Sequence, residues 1–135
     1  MQEIIQNLYL GNQESTDNPE TIGIGINYII SIGSISKNKS VESFHINLRD
    51  DKTLNIDKEL NLITSLIHYQ LYKNKKILIH CKSGVNRAPS FVLSYLCKYS
   101  GFSIDEAIEH ILSRRKICKF SFKPHVVKWL EGSNF

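Results

Sequence analysis

The sequence predicts an α/β fold: one domain over residues 1–135, with a central mixed sheet of about five strands flanked by helices. Two observations predict it. Short apolar runs with β-branched residues, Tyr28–Ile32 and Ile77–Cys81, have the length of buried strands. They alternate with longer stretches of helical periodicity, Asn55–Lys73 and Ala88–Ser100, and strands alternating with helices build a layered α/β sheet. At 135 residues the chain makes one domain that can bury roughly two-thirds of its unfolded surface without covalent staples. Its 41% hydrophobic and 22% charged residues are those of an ordinary globule.

The elements follow in order. Ile4-Ile5 and Leu8-Tyr9-Leu10 form a hairpin around Gln6-Asn7, and Gly11 ends its second strand. Asn12–Ile24 is polar and punctuated by glycine and proline, room for one or two short helical turns. Tyr28–Ile32 and Phe44–Leu48 read as strands joined by the polar connector Ser34–Ser43. In Asn55–Lys73, Ile56, Leu60, Ile63, Ile67 and Leu71 recur at three and four, with Asp57, Lys58, Asn61, Ser65 and His68 turned outward. Ile77–Cys81 follows as a strand at the centre of the sheet. Ala88–Ser100 is nearly all apolar, with Ser90, Ser94 and Lys98 as its polar positions, so other elements should wrap it. Gly101 ends it, and Ser103-x-x-Glu106 is a capping box opening a helix to Arg115 that buries Ile104, Ala107, Ile108, Ile111 and Leu112. A last helix spans about 123–131 with Pro124 in its first turn, anchored by Trp129.

Composition excludes several classes. A net charge of +4 suits an anionic substrate but falls short of a nucleic-acid binder, and Lys73/Lys75/Lys76 and Arg114-Arg115-Lys116 read as solvated helix ends. Glycines break the apolar stretch 22–35, which is too short to span a bilayer, so no membrane insertion is expected. The first residues lack the basic and apolar regions of a signal peptide. Three cysteines without a Cys-x-x-Cys argue against a disulfide framework or a zinc site. No metal or cofactor is expected. His45, His68, His110 and His125 are too scattered to read as ligands, and the expected compartment is a reducing one, cytoplasm or nucleus. Cys97 reads as packing, and Cys118 as an exposed thiol that could form a disulfide with Cys81.

The chemistry concentrates in His80-Cys81-Lys82-Ser83-Gly84-Val85-Asn86-Arg87. A strand precedes it, and a helix opens at Arg87-Ala88-Pro89. A cysteine there lies beneath backbone N–H groups and at the positive end of a helix, and both favour a thiolate. The same N–H groups of Lys82, Ser83, Gly84, Val85 and Asn86 can bind phosphate oxygens. Arg87 would close the ring, because a guanidinium forks onto two oxygens and keeps its charge. The Gly-Lys-Ser/Thr ending of a nucleotide-binding loop is absent. Cleaving a phosphate ester also calls for a proton donor to the leaving oxygen, and Asp50 and Asp51 stand in a loop able to overhang Cys81. Spacing alone leaves both open.

These segments resemble the small, atypical members of the dual-specificity protein phosphatases. Leu8-Tyr9-Leu10-Gly11 is similar to that family's opening signature, Ile46-Asn47-Leu48-Arg49-Asp50 to the segment ending in its general acid, and residues 80–87 to its active-site loop. The resemblance covers nearly the whole chain. It implies a cysteine-phosphatase fold, phosphorylated proteins as substrates, Cys81 as nucleophile, Asp50 rather than Asp51 as acid, phosphate binding by Arg87 and the 82–87 backbone, and His80 as support for the loop.

Two departures stand out. Ala88 occupies a position where the family usually carries Ser or Thr, whose hydroxyl helps the thiolate leave. Lys119-Phe120-Ser121-Phe122-Lys123-Pro124 replaces the family's Pro-Asn signature. Other readings stay open. Lys82 is similar to a residue of phosphoinositide phosphatases, and Val85-Asn86-Arg87 resembles the loop of RNA 5′-triphosphatases. Ala88 also fits a pseudophosphatase that binds phosphorylated partners with little turnover. Physiological substrate and oligomeric state are not encoded in any motif.

Overall fold

In the computed structural model, which describes residues 1–132, five strands make one sheet. They are β1 (Gln2–Ile5), β2 (Leu8–Gly11), β3 (Tyr28–Ile32), β4 (Glu42–Ile46) and β5 (Ile77–His80), in the order β1-β2-β5-β3-β4. β1 runs antiparallel to β2, and every other pairing is parallel, so the sheet is mixed as expected. A 3-10 turn covers Gln13–Thr16. The helices are α1 (Pro19–Ile24), α2 (Asp57–Tyr72), α3 (Arg87–Tyr99), α4 (Ile104–Arg114) and α5 (Lys123–Gly132).

The central position of β5 follows from its composition. Ile77, Leu78, Ile79 and His80 are all buried, which only a strand covered on both faces requires. Successive side chains go to opposite faces. Ile77 and Ile79 join Leu8, Leu10, Ile30 and Ile32 in the main core, while Leu78 joins Tyr9, Ile26 and Ile29 in a smaller cluster on the other side. Full burial of each such side chain contributes roughly 1.5–3 kcal/mol.

α3 packs against α2, α4, α5, β2 and β5. It is the wrapped helix its composition calls for. Ser90 and Ser94 are buried there, and their hydroxyls donate to the carbonyls of Asn86 at 2.8 Å and Ser90 at 2.7 Å. The capping box of α4 forms, with Ser103 N donating to Glu106 Oε1 at 2.9 Å and Glu106 N to Ser103 Oγ at 3.1 Å. Trp129 is buried and donates from Nε1 to Asn61 Oδ1 at 2.9 Å, joining α5 to α2.

β4 departs from expectation. It starts two residues earlier than the apolar pattern suggests and ends at Ile46, not Leu48. β4 is an edge strand, with Glu42, Ser43 and His45 exposed, so apolar content does not mark where it begins. Its bounds are set by partnering the five residues of β3, from Tyr28 opposite Glu42 to Ile32 opposite Ile46.

Candidate active site

Cys81 is the first residue beyond the carboxyl end of the central strand, where open α/β sheets place their ligand sites. α3 opens at Arg87, so Lys82–Asn86 bridge strand and helix. Cys81 and Gly84 are buried, Lys82 and Ser83 are exposed, and Val85, Asn86 and Arg87 lie between.

The carbonyls of this loop are drawn outward, each by a group outside it. Lys82 O accepts from Gln13 N at 3.1 Å and Val85 O from Lys119 N at 2.6 Å. Ser83 O accepts from Arg115 Nη2 at 3.3 Å and Gly84 O from Arg115 Nε at 2.9 Å. In a trans peptide the carbonyl and the following N–H point in opposite directions, so the amides after these residues turn inward. Among the described residues, no amide of Ser83–Asn86 donates to a protein group. Successive inward N–H groups make a concavity suited to an anion.

Arg87 flanks it. Its Nη1 donates to Leu48 O at 2.8 Å, and its buried Nε has no partner among the described residues. One edge of the guanidinium is thus anchored and another is unengaged. The approach to Leu48 needs Gly33, which has φ +77 and where a Cβ would collide with Arg87 Nη1. Gly84, at φ +68, lies so close to Arg115 and to Gly11 O that a side chain would displace them.

The two aspartates separate in space. Asp50 Oδ1 accepts from Asn86 Nδ2 at 2.7 Å, which brings its carboxylate to the loop. Asp51 turns into its own bend, accepting from Thr53 N at 3.0 Å and Thr53 Oγ1 at 2.6 Å. Those bonds hold the Asp51 carboxyl below the usual carboxylate range.

His80 is fully buried, with Ser31 Oγ of β3 2.7 Å from its Nε2. Burial pushes its imidazolium down to about 4, although the Cys81 backbone pulls the other way, so the ring is neutral at pH 7. Cys118 corrects an expectation: it is buried, and burial pushes its thiol up to about 11. Ala88 is buried at the start of α3. The next hydroxyl along, Ser90, is engaged with Asn86 O.

Sequence reasoning missed several participants. Arg115, read as part of a solvated helix end, is 8% exposed and holds the loop from behind, with its Nη1 donating to Gln2 Oε1 at 2.7 Å. Gly33, Gln13 and Ser121 were equally unmarked, because each acts through a partner distant in sequence. The scattered histidines stay apart: His110 and His125 hydrogen-bond to Ile4 O and Lys52 O, and His68 stacks on Tyr99. No cluster of three His, Cys, Asp or Glu able to hold a metal occurs among the described residues. No helix among them is long and apolar enough to cross a membrane. An open cleft of about 550 Å³ lies beside the loop, lined by Asn12, Gln13, Glu14, Ser34, Lys37 and Lys82.

The chain is 34% identical over 119 residues to the tyrosine-protein phosphatase yvh1 of Schizosaccharomyces pombe, a match covering 85% of this chain and 36% of that protein. It is 30% identical over 100 residues to the dual specificity protein phosphatase OPG106 of Variola virus, covering 71% of this chain and 58% of that one. The chain thus spans about a third of one of these relatives and under three-fifths of the other. A crystal structure of the human tyrosine phosphatase-like serine/threonine/tyrosine-interacting protein superposes with a TM-score of 0.90 at 23% identity, covering 98% of this chain and 97% of that one, which shows a shared fold. The profile of the dual specificity phosphatase catalytic domain matches residues 8–131, and the chain belongs to that family of cysteine-based protein phosphatases.

Proposed function

We propose that residues 1–135 form one catalytic domain that hydrolyses phosphotyrosine and phosphoserine/threonine in proteins through a cysteinyl-phosphate intermediate. The supporting observation is the outward engagement of the carbonyls of Lys82, Ser83, Gly84 and Val85, with Arg87 Nε unpaired beside the concavity this creates. A phosphate monoester has three non-bridging oxygens for those donors. Its phosphorus would then face Cys81.

In the first step the Cys81 thiolate attacks phosphorus, the P–O bond to the substrate breaks, and Asp50 gives its proton to the leaving oxygen. The inward N–H groups and Arg87 stabilise the charge on the equatorial oxygens. In the second step Asp50, now a carboxylate, takes a proton from water as that water attacks phosphorus. The S–P bond breaks, phosphate leaves and the thiolate returns. Neither step calls on a metal, and the thiolate calls for a reducing compartment.

A second reading has its own support. Lys37 and Lys82 line one cleft at the start of the 82–86 loop together with Glu14, and neither lysine lies within 4.0 Å of a carboxylate among the described residues. Two free ammonium groups there suit a multiply phosphorylated inositol headgroup as well as an acidic peptide. Phosphate release measured with chelator present, over phosphopeptides, phosphoinositides and 5′-triphosphorylated RNA, tests the assignment. Phosphopeptides should be the best substrates, with phosphotyrosine and phosphothreonine both accepted. Preference for either other class overturns the protein-substrate reading, and release from none of the three supports a pseudophosphatase.

A further inference from the structure

We propose that Asn86 is a positioning residue that holds Asp50 over the loop and determines which carboxyl oxygen carries the transferable proton. This rests on the proposed function, and deepens it by assigning a role to a side chain whose backbone alone the phosphate would use.

The Asn86 side chain joins three segments. Its Oδ1 accepts from Ser121 N at 3.0 Å. Its Nδ2 donates to Asp50 Oδ1 at 2.7 Å and also contacts Ser121 Oγ. The Ser121 amide can only donate, so the carbonyl end of the Asn86 amide must face it. The NH2 end is thereby turned to Asp50, and an NH2 group can only donate. Asp50 Oδ1 is therefore an acceptor in both protonation states of the carboxyl. The proton, when present, resides on Oδ2, which has no protein partner among the described residues and is free to meet a leaving oxygen.

Among the described residues no other group fixes Asp50. Its carboxylate is exposed and pairs with no cation among them, and the neighbouring Arg49 lies against Asp51. An exposed aspartate on a loop samples several rotamers, and a misplaced reacting group can lose about 100-fold in rate. Ser121 thus acts at one remove, by orienting the amide that orients the acid.

The leaving group separates this role from a structural one. A p-nitrophenolate departs unprotonated, whereas a phenolate needs the proton, so the ratio of the two rates reports acid catalysis. Asn86→Ala should lower kcat/KM, which reports formation of the cysteinyl-phosphate and not its breakdown, for phenyl phosphate about 10–100-fold more than for p-nitrophenyl phosphate. Asn86→Asp, nearly isosteric but presenting an oxygen to Asp50, should do the same. Ser121→Ala keeps the orienting N–H and should change the ratio only a few-fold. Adding Asn86→Ala to Asp50→Asn should leave the ratio of the single Asp50→Asn variant unchanged. Vanadate inhibition constants measured alongside report damage to the loop. The inference is overturned if Asn86→Ala lowers kcat/KM for both esters equally, or if its effect on that ratio multiplies with that of Asp50→Asn. A wild-type chain that releases phosphate from neither ester overturns the proposed function and this inference together.

Discussion

Arg115 and Gly84 stand 31 residues apart, and Arg115 Nε donates to the Gly84 carbonyl at 2.9 Å from the back of the loop. With the Ser83 carbonyl held by the same guanidinium, one buried cation turns two peptides so that their N–H groups face the site. The charge behind the loop also adds to the field felt by an anion in front of it.

Removing Arg115 should therefore damage binding and stability together. Arg115→Met leaves the buried Gly84 carbonyl without a donor, at about 1–3 kcal/mol, and releases the part-buried Ser83 carbonyl as well. Thermal unfolding should shift down by several degrees, and vanadate should bind at least about tenfold more weakly. Arg115→Lys can reach one carbonyl at a time and should fall between. A variant as stable as wild type with unchanged vanadate affinity would remove Arg115 from this role.

His80 gives a pH dependence of stability. Its ring is held neutral, with the imidazolium pushed to about 4 from an ordinary value near 6.5. The unfolded chain therefore binds a proton at a higher pH than the folded one. Stability from this residue is fully present above about pH 6.5 and is lost as pH falls towards 4. The span corresponds to roughly 3 kcal/mol. Denaturation midpoints of wild type and His80→Gln, followed from pH 7 to pH 4, should converge on acidification. Parallel curves would show that His80 is not the group responsible.

The two aspartates should behave differently. Asp50→Asn should slow phenyl phosphate more than p-nitrophenyl phosphate, while Asp51→Asn should cost mainly the Thr53 turn and leave that ratio alone. Reversed results would place the acid one residue along.

Sequence and structure agree most closely where the chemistry is contiguous. Residues 80–87 carry the proposed nucleophile, the cradle and the arginine in a single run, and β5 announces its central place by uninterrupted apolar residues. α2 and α4 are equally legible, because their buried faces repeat at three and four. What the sequence hid depends on partners far along the chain. Arg115 looks like any basic helix end until Gly84 is beside it, and Gly33 looks like a turn glycine until Arg87 crosses it. The edge strand β4 was misplaced by two residues because its ladder with β3, and not its side chains, sets its bounds. Cys118 was read as exposed, yet it is buried among the main core residues.

Ala88 bears on turnover. A hydroxyl there would donate to the departing thiolate, a bond worth roughly 1.5–3 kcal/mol. Its absence should slow cysteinyl-phosphate breakdown by about 10–150-fold, with formation less affected. Rapid mixing with p-nitrophenyl phosphate should give a burst of about one equivalent per site and then slow turnover. Ala88→Ser should raise the steady rate and shrink the burst. Linear turnover from the first milliseconds, unchanged by Ala88→Ser, would contradict this.

The central claim is that Cys81 carries the phosphoryl group. Quenching a reaction with p-nitrophenyl phosphate in acid during steady turnover, followed by peptide mass spectrometry, tests it most directly. The account predicts one phosphoryl group on the peptide containing Cys81 in wild type, none in Cys81→Ser, and little in Arg87→Lys, whose single ammonium cannot reproduce the guanidinium fork. Steady phosphate release by wild type with no label on Cys81, or release by Cys81→Ser near the wild-type rate, would contradict it.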